Sequence, residues 1–573
     1  MRRNEDKMAE YLSPGVYVEE YDSAPRSIEG VGTSTAGFVG LAEKGQTVGS
    51  PVLVTNFSSF VKQYGGFLSE FEYGEYRFLA NSVEQFFANG GTRCYISRVI
   101  PSDAKKAAKT MGILTLEAAN EGKWGNRIQV NLTSVMKKKM QLLEQSKEQP
   151  DTYTAKSVSG FMEGDFVVAG NEYNRITKIY DNFVTFEKPF GTDVIDTSLV
   201  PEKVIYLVET DITIRYNDDF EVYQGVSFNI MSPNYIVTKL SASALVNIMV
   251  APVETPVNPV NAILGDGVND GTISLEGGSN GTIDNVNAGT FIGKDGGPGN
   301  RTGIQSFIEN DVVSMMAVPG VTIPEVMVSL VGHCENLGSR FAVLDMPENL
   351  SKTDDLINYR NMIDSTYAAM YHPWIQVFDR ASNKAGFIPP SGAVCGVYAR
   401  TDVNRGVHKA PANETIFCTG LKTNYTSGEQ DILNPEGINL IRQLPGQGIK
   451  VWGARTASSN SSFRYVNVRR LFIYVEESIK ANTNWVVFEP NDQTLWSRVN
   501  VTISSFLENI WRNGMLAGST PAEGFFVDIG PSTMTEDDIR NGRLICNVGI
   551  AATKPAEFVI FRVTQHTASG GAE

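Results

Sequence analysis

The sequence predicts a multidomain α+β protein (mixed α/β) with inserted, mostly β domains and extended terminal arms. The chain has 573 residues, which at roughly 100–200 residues per domain is enough for three or four domains. Hydrophobic residues make up 42% and charged residues 20%, a composition that can bury several cores. Fifty-three glycines and twenty-five prolines indicate frequent turns between short elements.

Residues 1–22 read as an extended N-terminal arm. Pro14-Gly15 introduces a short run with strand-forming side chains, and β-branched and aromatic residues favour a strand. The predicted strand consists of Val16, Tyr17, Val18, Glu19 and Glu20. A strand of this length cannot stabilise itself, so we expect it to add to the edge of another sheet.

Residues 23–102 predict the first part of a core with both helices and strands. Apolar runs at 35–41, 51–55 and 94–100 indicate strands. Helical spacing of apolar residues predicts helices at 58–64 and 77–89, the second ended by Gly90-Gly91.

The composition and the spacing of apolar residues change between residues 103 and 300. Lys and Glu become frequent at 137–148, alternating patterns such as 204–216 indicate strands, and 265–300 is rich in Gly, Asn and Asp. We interpret this region as one or two inserted, mostly β domains that end in a flexible loop.

Residues 301–555 again show the mixed helix and strand patterns of residues 23–102, and they form the predicted second part of the core. We predict a strand at 312–318, a helix at 354–370, a strand at 371–379, and helices at 465–480 and 494–513. Residues 556–573 form a C-terminal strand with a polar tail. The strand runs from Glu557 to Val563 and includes Phe558, Val559, Ile560, Phe561, Arg562 and Val563.

The charge balance argues against nucleic acid as a partner. The formal net charge is −15, whereas phosphate binding requires clustered cations. The short basic run Lys137-Lys138-Lys139 is read as a solvated face. No apolar run approaches the roughly 20 residues of a membrane span, and residues 1–7 lack the apolar core of a signal peptide, so we expect synthesis in the cytoplasm.

Each motif that suggests catalysis fails in its context. Gly277-Gly278-Ser279-Asn280-Gly281 matches the nucleophile-elbow pattern, but a turn-like segment follows instead of a helix. Residues 288–295 approach a P-loop, yet Ala288 and Asp295 stand where Gly and Ser or Thr are required. We therefore expect no catalytic residue and no bound cofactor.

Metal and thiol chemistry is also not expected. The acidic loop 266–271 fails the calcium pattern at Val268. No two of the four histidines have metal-ligand spacing, and adjacent His333 and Cys334 point to different faces of either a helix or a strand. The five cysteines are odd in number and far apart, as is typical of free thiols.

Short blocks of sequence occur in an order that resembles one known family. The N-terminal blocks are YLSPGVYVEE at 11–20, GTSTAGFVG at 32–40 and GGTRCY at 90–95. The later blocks are YHPW at 371–374, PPSG at 389–392, GVYAR at 396–400, RGVHKAPAN at 405–413, GIN at 437–439, VWGART at 451–456, YVNVRRL at 465–471, FEPND at 488–492 and PAEFV at 555–559. In these blocks the chain resembles contractile tail sheath proteins of phages and bacterial contractile injection systems. In 103–300 only WGN at 124–126 matches, and this region resembles the variable, outward-facing insertion of the family.

The resemblance implies a structural subunit that stacks as hexameric rings around an inner tail tube. It implies that residues 16–20 and 558–563 are donated to neighbouring subunits, where they complete a sheet. Contraction would then convert a metastable extended lattice into a better-packed one without nucleotide. The implied partners are further copies, the tube protein, and baseplate and terminator or cap proteins, in a virion tail or a released injection particle.

Two other classes of protein remain open on the residues alone. One is a different structural component of a tail or baseplate, which would not form long polymers. The other is a hydrolase that uses Ser279 as its nucleophile. The tube-facing surface is expected within 301–555, with helix 494–513 as the candidate.

Overall fold

A computed structural model describes residues 28–191 and 203–560. The described chain divides into two compact units. The larger unit contains residues 32–473 and 555–560, and the smaller unit contains residues 28–31 and 474–554. The smaller unit is therefore built from two separate stretches of chain.

The N-terminal part of the larger unit alternates strands and helices. In chain order its elements are β1 (Ala36–Leu41), β2 (Val52–Val54), α1 (Phe57–Tyr64), α2 (Glu70–Tyr73), α3 (Leu79–Ala88) and β3 (Cys94–Val99). The three predicted strands and both predicted helices are present. Helix α3 begins two residues later than predicted, because the chain before it forms a short 3-10 turn.

The next part of the chain is rich in strands. Its elements are β4 (Ala108–Met111), β5 (Leu114–Ala118), β6 (Ile128–Val135), β7 (Lys139–Gln145), β8 (Thr152–Ala155), β9 (Phe166–Ala169), β10 (Glu172–Tyr180), β11 (Phe183–Phe186), β12 (Lys203–Leu207), β13 (Glu209–Tyr216), β14 (Asp219–Val226), α4 (Ile236–Leu240), β15 (Val246–Val250), α5 (Pro259–Leu264), β16 (Asp270–Ser274) and α6 (Ala288–Ile292). Six of the strands close into a small barrel in the order β10-β11-β8-β7-β12-β9. The others form a four-stranded sheet, β14-β13-β6-β16, and a three-stranded sheet, β15-β5-β4.

The barrel is filled by its own side chains and is connected through two neighbouring strands. Its core includes the buried residues Met140, Tyr153 and Phe186. The chain enters the barrel after β6 and leaves it into β13, and Val135 of β6 pairs directly with Glu209 of β13. The barrel is therefore a closed module inserted at one end of a β ladder.

The structure corrects the prediction of a flexible loop at 265–300. Strand β16 pairs along β6, from Asp270↔Thr133 to Ser274↔Gln129, and helix α6 follows at 288–292. The Gly-rich composition serves tight turns, as at Gly277, whose φ of +80° a side chain would disfavour. Composition alone does not distinguish such turns from a linker.

The C-terminal part of the larger unit completes its core. Its elements are β17 (Met315–Ala317), α7 (Pro324–Leu337), β18 (Phe341–Asp345), α8 (Thr353–Arg360), β19 (Ala368–His372), β20 (Ile375–Asp379), β21 (Lys384–Ile388), α9 (Ser391–Arg405), β22 (Glu414–Thr415), β23 (Gly420–Leu421), α10 (Ser427–Leu433), β24 (Ile438–Leu444), β25 (Gly448–Val451) and α11 (Val466–Asn482). Helix α11 continues into the smaller unit.

A nine-stranded sheet forms the centre of the larger unit. Its order is β2-β3-β1-β17-β18-β19-β24-β25-β22, with parallel pairing from β3 to β24. Strand β1 pairs with β17 through Ala36↔Met315, so the sheet takes strands from both sides of the β-rich region. Separate apolar clusters cover its two faces, as expected of a parallel sheet.

Two predicted elements in this part were wrong in extent. The predicted helix 354–370 ends at Arg360, and its last residues belong to strand β19. The predicted strand 371–379 is divided between β19 and β20, which lie in different sheets. Pro373 stands between them and has no N–H to donate to a ladder.

The smaller unit combines a long amphipathic helix with a two-stranded sheet. Its remaining elements are α12 (Gln493–Arg512), α13 (Pro521–Gly524), β26 (Phe525–Ile529), α14 (Glu536–Arg540) and β27 (Cys546–Ile550). Helix α12 confirms the predicted helix 494–513 to within one residue. Asp492 caps it by accepting from the N–H of Leu495 at 2.9 Å. Across the described residues, no helix combines the length and apolar character needed to span a membrane.

Candidate functional site

The N-terminal arm is attached to the smaller unit immediately after the part that the structure leaves undescribed. The N–H of Val31 donates to Oγ of Ser478 at 3.1 Å. A Cβ on Gly30 would lie 2.0 Å from the hydroxyl oxygen of Tyr474, so any larger residue would require the Tyr474 ring to shift. The direction of the chain is therefore fixed just downstream of the arm.

A buried ion pair holds the chain where it enters the larger unit. Arg470 donates to the carbonyl of Thr33 at 2.9 Å and to Asp402 at 2.6 Å. Both charged side chains are only 3% exposed, and Arg470 also lies over the ring of Tyr398. Such a pair is stabilising only when its hydrogen bonds are satisfied, which is the case here.

The C-terminal arm is attached to the larger unit at Glu557. Arg455 donates to both carboxylate oxygens, at 2.9 and 2.7 Å. The Tyr465 hydroxyl donates at 2.9 Å and the Asn434 amide at 2.7 Å. Burial alone would raise the pKa of Glu557, but the hydrogen bonds outweigh it and hold the pKa below its ordinary value. The carboxylate is therefore charged at neutral pH.

Beyond Glu557 the chain carries apolar side chains into solvent. Phe558, Val559 and Ile560 are 74%, 66% and 79% exposed, and these residues form no β ladder within the described chain. The other predicted arm residues lie outside the described part: Val16, Tyr17, Val18, Glu19, Glu20, Phe561, Arg562 and Val563. The strand assignment of both arms stays a prediction.

The two-stranded sheet of the smaller unit has open edges. Strands β26 and β27 pair from Phe525↔Ile550 to Ile529↔Cys546, and neither pairs with another strand of the described residues. Each strand therefore has an outer edge that no described strand covers, which is where a further strand can add. The ring of Phe526 is 59% exposed on this sheet.

The serine of the nucleophile-elbow pattern lies in a loop. Ser279 exchanges backbone hydrogen bonds with Lys105, and its Oγ accepts from the N–H of Gly281 at 3.1 Å. The chain then forms a single 3-10 turn at 283–285. The strand–turn–helix geometry that exposes a catalytic serine is not formed here.

The P-loop-like and calcium-like segments are occupied by internal contacts. Asp295 accepts from Arg301 at 2.8 Å. Asp270 lies in β16 and accepts from the Thr133 hydroxyl at 2.6 Å. Among residues 28–191 and 203–560, no three His, Cys, Asp or Glu side chains come together as a metal site.

The His333–Cys334 pair lacks the state that nucleophilic chemistry requires. Both residues are buried in α7. Burial raises the pKa of the Cys334 thiol to about 12, whereas a reactive cysteine needs a lowered pKa. Burial and the neighbouring charge of Arg340 lower the pKa of His333 to about 4. The pair is a packed, neutral part of the core.

A cavity of about 420 Å³ lies beside helix α2. Its lining carries charged side chains that already pair with each other. Lys123 contacts Glu72 at 2.7 Å, and Arg127 contacts Glu43. Because these charges are mutually satisfied, the cavity offers no free charged group for a ligand.

Comparisons with known proteins relate the C-terminal half of the chain to one family. Residues 295–457 match the family model of the phage tail sheath protein central domain. Residues 458–566 match the model of the phage tail sheath C-terminal domain. Residues 295–566 thus match both phage tail sheath domains, and these matches support a contractile sheath subunit.

Individual relatives agree with this assignment. A prophage major tail sheath protein of Pseudomonas aeruginosa is 26% identical over 48% of this chain and 72% of its own length. The tail sheath protein of Salmonella phage ViI is 30% identical, but only over 28% of this chain and 27% of its own length.

Solved structures support the fold over nearly the whole chain. The sheath of the extracellular contractile injection system PVC, in its contracted state, is 22% identical with a TM-score of 0.52. The match covers 98% of this chain and 99% of that chain. The contracted helical sheath of the anti-feeding prophage is 21% identical, with a TM-score of 0.51 and coverages of 97% and 100%.

The attachment residues were not predicted from the sequence. Glu557, Arg455 and Tyr465 each lie in a block that carries the family resemblance, so a signal was present. Because 102 residues separate Arg455 from Glu557, spacing could not reveal that they pair. Asn434 lies outside these blocks and gave no signal.

Proposed function

We propose that this subunit polymerises as stacked hexameric rings around an inner tail tube and contracts by exchange between two lattice arrangements. The observation that carries the proposal is the combination of exposed, unpaired arm residues with open sheet edges. Phe558, Val559 and Ile560 are exposed, while β26 and β27 each lack a second neighbouring strand within residues 28–191 and 203–560. Donation of an arm to a neighbour would satisfy both.

In this proposal, β26 and β27 of one subunit accept strands from other subunits. Residues 16–20 and 558–563 are the donated segments. Backbone hydrogen bonds would supply the affinity, and the alternating side chains of the arms would supply the register. A sheet of two strands is marginal by itself, and additional strands would stabilise it.

Contraction would proceed without catalysis or nucleotide. Each interface would contribute a small free-energy difference between two discrete arrangements, and the sum over the polymer would drive the tube through a target envelope. The subunit would be made in the cytoplasm and would act in a virion tail or an injection particle. Its partners would be further copies, the tube protein, the baseplate and a terminator or cap protein, without nucleic acid or membrane insertion.

The proposed arrangement assigns a direction to each part of the chain. Residues 103–300 form an outward-facing insertion between the core parts 23–102 and 301–555. Helix α12 of the smaller unit is the proposed tube-facing element. Arms 1–22 and 556–573 connect subunits. Scanning the exposed face of α12 with charge reversals, and measuring the binding of tube protein, tests this assignment.

Deletion of residues 8–22 tests strand donation directly. The variant is expected to remain folded and monomeric and to form no tubes, because the acceptor sheet stays incomplete. A length-preserving variant, Val16→Pro with Val18→Pro, is expected to give the same loss, since proline cannot donate to a ladder. The matched control, Val16→Ile with Val18→Ile, keeps strand propensity and is expected to assemble.

Electron microscopy of purified protein, with and without tube subunits, reads out assembly. Tubes of ordinary length from the deletion variant would refute strand donation. Wild-type protein that forms only rings and never long polymers would favour the alternative, a baseplate or other tail component.

A further inference from the structure

We propose that Glu557 is a positioning residue that fixes the start of the C-terminal arm to the central sheet of its own subunit. We name the contacts of Glu557 with Arg455, Tyr465 and Asn434 the Glu557 anchor. The inference rests on the proposed strand donation and adds to it the point at which the donated segment is held.

The carboxylate of Glu557 is saturated with donors. Oε1 accepts from Nε of Arg455 and from Asn434, and Oε2 accepts from Nη2 of Arg455 and from Tyr465. Two parallel bonds from a guanidinium add geometric specificity to charge-assisted strength. Four bonds on one side chain hold the direction of the chain at this residue, which simple solvation of a tail residue would not require.

The anchor coincides with a sharp change in exposure. The side chain of Glu557 is 20% exposed and that of Arg455 is 8% exposed. Phe558 immediately beyond it is 74% exposed, and the next two residues are similar. Glu557 is therefore the last residue held by the body before the unpartnered apolar segment begins.

The anchor is supported directly by the nine-stranded sheet. The N–H of Arg455 donates to Oδ1 of Asn439 at 2.7 Å, and Nδ2 of Asn439 donates back to the Arg455 carbonyl at 2.8 Å. Asn439 is fully buried in β24 and also donates to the carbonyl of Met370 in β19 at 3.1 Å. One side chain thus connects the anchor to two central strands.

This attachment differs from that of the N-terminal arm. Val31 and Gly30 are held by residues of the smaller unit, whereas Glu557 is held by the larger one. The chain leaves the smaller unit at Lys554 and reaches the anchor three residues later. Tension on a donated C-terminal strand would therefore act on the central sheet and not on the sheet of the smaller unit.

Loss of the anchor would free the chain back to the smaller unit. The preceding backbone hydrogen bond is from Thr553 to Met515, at 3.4 Å. The arm would then begin in the smaller unit, and it would include additional unordered residues. Ordering them on donation costs conformational entropy, and a longer tether lowers the effective concentration of the strand. Assembly would become weaker although the donated strand itself is unchanged.

The test compares Glu557→Ala, Glu557→Gln and Arg455→Met with Glu436→Gln, which removes an exposed carboxylate close in sequence to Asn434. The critical concentration for polymerisation is expected to rise about tenfold for Glu557→Ala and Arg455→Met. It should rise less for Glu557→Gln, which retains acceptor and donor atoms. Glu436→Gln should match wild type. The double variant Glu557→Ala, Arg455→Met should be no worse than either single variant.

A second measurement separates the anchor from strand donation. A synthetic peptide of residues 556–573 is titrated onto the full chain truncated after residue 555. Peptide binding, together with loss of polymerisation by the truncated chain, supports donation. If the truncated chain polymerises like wild type, donation fails and the anchor fails with it.

If the peptide and truncation results support strand donation but Glu557→Ala leaves the critical concentration unchanged, the anchor is overturned and donation is not. If Glu557→Ala does not fold, the decision passes to Glu557→Gln and to chymotrypsin cleavage after Phe558 in the folded monomer. Faster cleavage there with a raised critical concentration supports the anchor. Unchanged cleavage with unchanged assembly overturns it.

Discussion

Phe488 combines an unusual backbone with an unusual exposure. Its φ is +69°, in the left-handed region that is unfavourable for a bulky residue. Its ring is fully exposed, at 102% of the reference area, and so makes no packing contact that would offset the strain. Within the single chain, this residue reduces stability.

Phe488→Gly is therefore expected to stabilise the protein by about 1 kcal/mol, because glycine adopts a positive φ without steric cost. Urea unfolding of the monomer measures the change. Phe488→Ala is the control, since it removes the ring but retains the strain, and it should leave the free energy of unfolding nearly unchanged. A loss of stability in the glycine variant would show that the ring does stabilise the monomer.

Gly30 illustrates the opposite case, in which a side chain is excluded. Gly30→Ala would place a Cβ against the Tyr474 ring, and such overpacking typically costs about 1–3 kcal/mol. We expect the smaller unit to lose stability in urea unfolding. Gly66→Ala is the matched control, because a Cβ there would have nothing within 4 Å. Equal effects of the two substitutions would contradict the close approach at Gly30.

At the scale of elements, sequence patterns identified amphipathic helices well and buried strands less well. Helix α12 alternates buried and exposed residues at helical spacing, and its bounds were predicted to within one residue. Strand β19 is buried at every position, so it shows no alternation that would mark it as a strand. Strands buried on both faces cannot be told from buried helix by periodicity.

The closed barrel provides a prediction for an entire element group. Replacing residues 137–207 by a short Asn-Gly turn should leave a folded protein, because Val135 and Glu209 are already paired. Stability should fall, since Phe166 and Val168 of the barrel also pack into the neighbouring core. Circular dichroism, gel filtration and urea unfolding measure the outcome.

The control for this excision removes only residues 139–180. It leaves an incomplete barrel with open strand edges, which favour aggregation. We expect it to be insoluble while the complete excision is soluble. If both variants aggregate, the barrel is required for the fold of its neighbours.

At the scale of the whole molecule, buried ionisable groups determine how stability depends on pH. Burial lowers the pKa of His333 and His372 to about 4, below the ordinary value near 6.5. The unfolded chain therefore binds protons on these residues first, and stability falls as pH decreases from about 6.5 to 4. Burial raises the pKa of Asp345 to about 6. The folded protein therefore binds a proton on this residue before the unfolded chain does, and this contribution to stability rises as pH decreases from about 6 to 3.8.

Replacing each histidine in turn isolates its contribution to the pH dependence of stability. The free energy of unfolding of the wild type should fall as the pH decreases from 7 to 5. Replacing either histidine by glutamine should make this fall smaller by roughly 2 kcal/mol. Urea unfolding of wild type, His333→Gln and His372→Gln at both pH values checks this. Asp345 is present in all three proteins, so its opposing effect cancels. Identical pH dependence of the three proteins would contradict buried neutral histidines.

The sequence predicted the class of the fold and the family but not the assembly of its parts. The bounds of the β-rich region near residues 103 and 300 are visible as changes in composition. The pairing of β1 with β17 across more than 270 residues is not, because it depends on contacts remote in sequence. The same holds for the Glu557 anchor and for the return of the chain to the larger unit after residue 554.

The attachment of Val31 to Ser478 also sets an order of events during synthesis. The two residues are 447 positions apart, and ribosomes add about 5–20 residues per second. The start of the N-terminal arm therefore waits roughly 20–90 s for the helix that holds it. Neither arm is presented from its final position before the chain is nearly finished. In the proposed assembly, this timing would keep nascent subunits from joining a growing polymer too early.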